Sequence, residues 1–305
     1  MSASGNEDRR SRKCAPPDWL RRASGWKLAL AVLLGCLGLL LVGLVSCRDS
    51  AVTVHARSEA IRLSVVGEVL GEWPLGDAWV FTEDSDEGQL LHDAVLLMSH
   101  GMSAHAERRG KGPLRIELEA KESPGEIRHA AGQLPLPPRA VLSTPGGDAG
   151  SASILPFRGC AVLGDDVAAG VGAVLLEGRV QLAEKFFLRD ERYLMASQDL
   201  DAGDRVTLRS TSYEHRCLET GQALADGFLR VDWDKLGFEA VAHAVHATAC
   251  VGRLGSEGYC IEPSPFRRLL YDPLLTVLAT VLAIALALPS AVDSTVALLD
   301  RRAGR

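Results

Sequence analysis

His92, His100 and His105 fall in one short stretch with Asp93, Ser99, Ser103 and Glu107. A histidine poised between a hydroxyl and a carboxylate can act as a general base, so these residues allow a hydrolase-like constellation to be drawn. No G-x-S-x-G elbow supports it, and no P-loop, dinucleotide glycine fingerprint or H-E-x-x-H is present. His243 and His246 would share a face at helical spacing. The β-branched segment around them reads as a strand, in which they point to opposite sides. The acidic run Glu83 to Gly88 resembles a calcium loop only superficially. With Asp84 as the first position, Gln89 stands where the sharp-turn glycine belongs and Val95 where the bidentate glutamate belongs. Neither a metal nor a cofactor is expected from these groups, and the chain reads as more consistent with binding than with catalysis.

The cysteines carry a firmer signal. Cys160, Cys217, Cys250 and Cys260 lie in the central part of the chain, away from Cys14, Cys36 and Cys47. Residues 239 to 251 are apolar enough for a strand, and 253 to 258 have the glycine content of a tight turn. A hairpin centred on Gly255 sets Cys250 opposite Cys260, at a cross-strand distance within disulfide reach. Cys160 and Cys217 are then the second pair. A nine-residue gap lacks the C-x2-C spacing of structural zinc sites.

Two apolar runs flank that central part. Leu28 to Ser46 has no charged residue and follows Arg9, Arg10, Arg12, Lys13, Arg21, Arg22 and Lys27. A basic flank stays in the cytoplasm, so a helix over 28–47 would send the chain outward. The sequence Leu44-Val45-Ser46-Cys47 also resembles a bacterial lipoprotein processing site, which would make Cys47 a lipidated first residue. A second run, within 269–292, begins after Pro273, and Ala279, Ala283, Ala287 and Ala291 place small side chains on one face where another helix could approach. Residues 1–27 and 293–305 would then both be cytoplasmic tails. Neither apolar core holds an ionisable residue, which argues for anchors rather than a transport path.

Charge and composition refine the picture. The 305 residues carry a net charge of −6, but Asp49 to Arg268 holds 33 acidic against 22 basic residues, a net of −11. Such a surface repels phosphate backbones, so nucleic acid is excluded as a partner. The 27 Arg against 6 Lys point to a GC-rich coding sequence and a bacterial source.

The segment 48–268 carries the fold. Leu114 to Glu119 alternates apolar and charged residues, Ile61, Leu63 and Val65 repeat the pattern, and 78–82, 94–99, 174–182, 205–209, 227–232 and 238–247 are further strand candidates. A mostly β, antiparallel sandwich or barrel-like domain follows, flanked by two transmembrane helices, with a Pro/Gly-rich exposed loop over 133–153. The sequences Leu175-Leu176-Glu177-Gly178-Arg179-Val180 and Leu200-Asp201-Ala202-Gly203-Asp204-Arg205-Val206 resemble the β repeats of FecR-type periplasmic signalling regulators. That resemblance implies a transmembrane sensor, although the short tail departs from the family's longer cytoplasmic portion. The expected role is a two-pass protein of the bacterial inner membrane. Its periplasmic or extracellular β domain binds or scaffolds an envelope protein partner, or self-associates through the helices; a FecR-like sensor and an envelope hydrolase are the alternatives.

Overall fold

The computed structural model describes residues 32–44, 49–66, 72–83, 85–146, 152–167, 170, 172–186, 190–212, 217, 221–253 and 258–303, with side chains at all of these except 85, 86, 288–293 and 295–303. The chain divides into two units, Arg48–Tyr271 and a second made of Met1–Cys47 with Asp272–Arg305.

In the first unit the sequence alternation becomes an alternation of burial. Among the described residues seventeen strands pair antiparallel in one continuous sheet. β1 (Ser50–Ser58) buries Val52, Val54 and Ala56 and turns Thr53, His55 and Arg57 outward. It runs between β11 (Leu175–Lys185) and β15 (Phe238–Val245). β12 (Arg192–Leu200) extends the sheet beyond β11, and β14 (Ala225–Asp232) joins β15 to β10 (Ala152–Leu163). His246, with φ 52°, ends β15 in a left-handed conformation uncommon for non-glycine residues. Beyond that break β16 (Ala247–Gly252) pairs with β13 (Arg205–Ser210) and β17 (Tyr259–Ile261), while β13 reaches the end of β10. β16 also lies against β1, so this part of the sheet rolls over onto itself.

β10 is the seam with the rest. Its final residues leave β14 and pair with β2 (Ala60–Val65), the continuation of β1 past Glu59. Gly159 stands at this switch, where a Cβ would collide with the Ser64 carbonyl. From β2 the sheet continues through β5 (Ser103–Glu107), β6 (Leu114–Glu119), β9 (Arg139–Thr144), β3 (Glu72–Thr82), β4 (Ser85–Met98), β7 (Gly125–His129) and β8 (Gly132–Pro135). It curls back on β10, where the indole N–H of buried Trp73 donates to the Pro156 carbonyl at 2.6 Å. One contiguous apolar cluster fills both curls, from Val52 and Leu182 to Ile116, Leu96 and Leu142. Each such side chain, fully buried, contributes about 1.5–3 kcal/mol.

Arg108, fully buried after β5, ties the curls together through backbone carbonyls. Its guanidinium donates to the carbonyls of Gly112, Asp232, Trp233, Lys235 and Gly237 and lies 4.9 Å from the Trp233 ring centroid. Burial lowers its pKa, an effect opposed by Asp232.

The 133–153 loop is corrected by this arrangement. Gly132–Pro135 and Arg139–Thr144 are strands, and the second is interior to the sheet with Ala140, Leu142 and Thr144 buried. Its prolines flank rather than interrupt β9, and the alternation in Arg-Ala-Val-Leu-Ser-Thr outweighs the composition around it.

The ends of this unit meet. Ser50 at the start of β1 is register partner to Glu184 near the end of β11. Glu184, fully buried, accepts from Arg268 at 2.8 and 2.6 Å and from the Tyr193 hydroxyl at 3.2 Å. Arg268 belongs to α2 (Pro265–Tyr271), so the chain enters and leaves the unit at one pole. Arg267 donates to the Met195 carbonyl at 3.2 Å, and the Tyr271 ring stacks on Tyr193 at 5.9 Å.

α2 corrects the 268/269 boundary, since residues 265–271 belong to the β unit. Asp272 then opens a new helix, its Oδ1 accepting from the backbone of Leu274 at 3.0 Å and Leu275 at 3.4 Å ahead of Pro273 in the first turn. That helix, α3 (Pro273–Ala303), continues through Pro289 into the expected 293–305 tail. In the second unit it accompanies α1 (Val32–Leu44). Two transmembrane helices are not supported. Among the described residues no single helix is long and apolar enough to cross a membrane; Pro265–Tyr271 and Pro273–Ala287 satisfy the length and composition only together. A crossing needs about 20 residues, and α1 is shorter.

Candidate functional site

On the outward face of β2, β5, β6, β9 and β3, the registers set side chains into two cross-sheet rows. Arg62, His105, Glu117, Val141 and Phe81 form one; Ser64, Ser103, Glu119 and Arg139 form the other. Together they line an open groove of about 700 Å³. Cross-strand neighbours of opposite charge attract, and here they interlock. Arg139 meets Glu119 at 3.0 Å and Glu83, at the tip of the β3–β4 hairpin, at 3.6 Å; Arg115 meets Glu117 at 2.9 Å. The Glu119 hydrogen bond, then the charges of Glu119 and Glu83, raise the Arg139 pKa. Phe81 supplies a 36% exposed aromatic wall beside these charges, with Trp79 and Leu90 exposed nearby on the same hairpin.

At one end, Asp165 follows β10 with its carboxylate buried. Oδ1 lies 2.9 Å from Arg62, and Oδ2 lies 3.3 Å from His105 Nε2. That second contact is out of line for a hydrogen bond, so both atoms are buried without a hydrogen-bonded partner. This pair is the nearest approach to the catalytic constellation drawn from sequence. The Ser103 hydroxyl donates to the Glu119 carbonyl at 3.4 Å, and among the described residues no hydroxyl hydrogen-bonds His105 Nε2. His92 lies apart, exposed, 2.9 Å from Asp77. No group of three or more His, Cys, Asp or Glu suited to a metal occurs among the described residues. The groove presents paired charges beside one exposed aromatic face.

His243 and His246 make different contacts, but His246 lies at the break after β15 rather than within the strand expected to carry both. His246 at the break faces Asp49 at 3.2 Å. His243 Nδ1 is 3.0 Å from Thr53 Oγ1, and burial, followed by the Arg192 charge, lowers its pKa.

Both disulfides are formed. Cys250 is the register partner of Cys260 across β16 and β17, with Cα atoms 3.9 Å apart; Cys160 and Cys217 are bridged at 6.3 Å. Cys47 and the hairpin tip around Gly255 lie outside the described residues. Ala279 is half-buried, Ala283 and Ala287 are exposed, and the side chain of Ala291 is not described. The half-buried side of α3 instead carries Leu278, Ala279, Leu282 and Ala285.

Sequence reading missed Arg62, Phe81, Glu117, Glu119, Arg139 and Asp165 as a set. The outward charges of β6 were visible in its alternation. Their neighbours come from strands up to some hundred residues away, and only the register brings them together.

No family model, curated protein or solved structure matches this chain. The two segments that resemble FecR repeats fall in β11 and β12 to β13; β11 and β13 are not sheet neighbours.

Proposed function

We propose that this chain is a membrane-anchored bacterial envelope protein whose extracytoplasmic β domain binds an envelope partner through the groove on β2, β5, β6, β9 and β3, without a catalytic step. The apolar runs on either side of the domain serve as its anchors, and both termini are cytoplasmic. One observation carries the reading: Ser50, Glu184 and Arg268 bring the chain's entrance and exit to one pole. The groove belongs to strands that begin past the other end of β1. A domain tethered at both ends needs its ends together. Its binding face is then best placed away from them.

The test is photo-crosslinking in intact membranes from position 81, with Phe81→p-benzoylphenylalanine in the full chain. The expected result is one discrete protein adduct, lost with Arg139→Glu and retained when residues 1–22 are deleted. Loss on that deletion favours the sensor instead, and the absence of any adduct overturns the binding reading. An alkaline phosphatase fused after Arg305 is expected to be inactive; activity there overturns the topology.

A further inference from the structure

The geometry points to α2 as an interfacial helix that lies in the lipid headgroup region and sets the β domain on the bilayer, an inference that rests on the anchoring proposed above. α2 has two unlike sides. Arg268 turns inward to buried Glu184, whereas Phe266 and Leu270, one turn apart, are 67% and 58% exposed. Tyr271 ends the helix 54% exposed, and Leu194 on the adjoining β12 is 53% exposed. Apolar side chains at i and i+4 with a tyrosine beside them are the composition that settles at a membrane interface.

What covers this face follows from the chain itself. Asp272 comes directly after Tyr271, and from Pro273 the sequence is uncharged and apolar through Leu288. At the same pole the chain enters the domain from the uncharged run ending at Ser46. If those runs enter lipid, Phe266 and Leu270 stand within a few residues of its surface. The inward Arg268–Glu184 bond fixes which side of α2 is turned away from the domain. A lipid surface is therefore the occupant, rather than a soluble partner.

The experiment places p-benzoylphenylalanine singly at Phe266, Leu270 and Leu236 of the full chain in phosphatidylcholine nanodiscs. Leu236 is 51% exposed, but it precedes β15, whose first residue pairs with Ser58 at the opposite end of β1. Intact disulfides on a non-reducing gel show that each variant is folded. Phospholipid adducts are expected at 266 and 270, with none above background at 236. Equal labelling at all three positions, or none at 266 and 270 in a chain that resists alkaline carbonate extraction, overturns the interfacial helix and leaves the anchoring standing. A chain released by carbonate overturns both.

Discussion

Glu184 with Arg268 and Asp165 with Arg62 are the same kind of ion pair in two settings. Both carboxylates are buried, at 0% and 1% side-chain exposure, but Arg268 is 10% exposed and Arg62 is 53%. At the pole both Glu184 oxygens are engaged, by Arg268 and by Tyr193. Beside the groove only one Asp165 oxygen is satisfied, and the other lies near a histidine it does not hydrogen-bond. A closed pair fixes geometry, because both carboxylate oxygens have donors within the fold. The open one leaves a buried acceptor unsatisfied among the described residues, which the low local dielectric makes costly. Under the proposed function, the first cluster positions the ends of the domain and the second borders the binding groove.

Breaking the closed pair should cost most. Arg268→Met leaves Glu184 buried and uncompensated, with an expected loss of about 3–5 kcal/mol in denaturant unfolding. The double variant Glu184→Leu/Arg268→Met should recover most of that loss, since an apolar replacement removes both desolvated charges together. A single-variant loss below about 1 kcal/mol would show that the pole is wet and would erase the contrast. Asp165→Asn should cost less, about 1–3 kcal/mol, because its partner Arg62 can turn to water. Equal losses at the two sites would mean that the groove cluster is as structural as the pole.

The two clusters also differ in how far the sequence discloses them. Strand identity was accessible wherever charged and apolar residues alternate, as in Leu114 to Glu119, and so was the Cys250–Cys260 bridge, which depends on one hairpin. Both are local. The groove and the pole are not: Arg62 meets His105 only through the β2–β5 register, and Glu184 meets Arg268 only because α2 folds back onto β12. β9 was hidden for a different reason. Its prolines lie at the strand's borders, where they remove no ladder hydrogen bond, yet they dominate the composition of any window that covers it. The helix start at Pro273 is legible in the sequence, whereas the 268/269 boundary falls inside α2 because hydropathy does not register that Arg268 is drawn into the domain before Asp272 caps the next helix.

His243 gives a smaller test on the outer face of β1 and β15. Its pKa is lowered by burial and then by Arg192, so the folded chain favours the neutral ring that shares a hydrogen bond with Thr53. As pH falls below the unfolded value of about 6.5, the unfolded chain takes up the proton first. Stability is therefore full above that pH and declines below it, down to the folded pKa. His243→Gln should flatten this decline in thermal melts between neutral and mildly acidic pH; an unchanged slope would mean that His243 titrates normally.

Arg139→Glu is expected to alter stability least and to test the binding assignment most directly. Arg139 is 65% exposed, and its contacts with Glu119 and Glu83 are surface pairs, which solvent and salt screen. The melting temperature should stay that of the parent chain. The reversal nevertheless sets three carboxylates together where one groove row ends against the β3–β4 tip, so a partner seated on alternating charge loses its complement there. Loss of the position-81 adduct without loss of stability would separate the open cluster from the closed one. A shift in melting temperature as large as that of Asp165→Asn would instead mean that the outward ladder holds the sheet together, and that the groove is part of the scaffold.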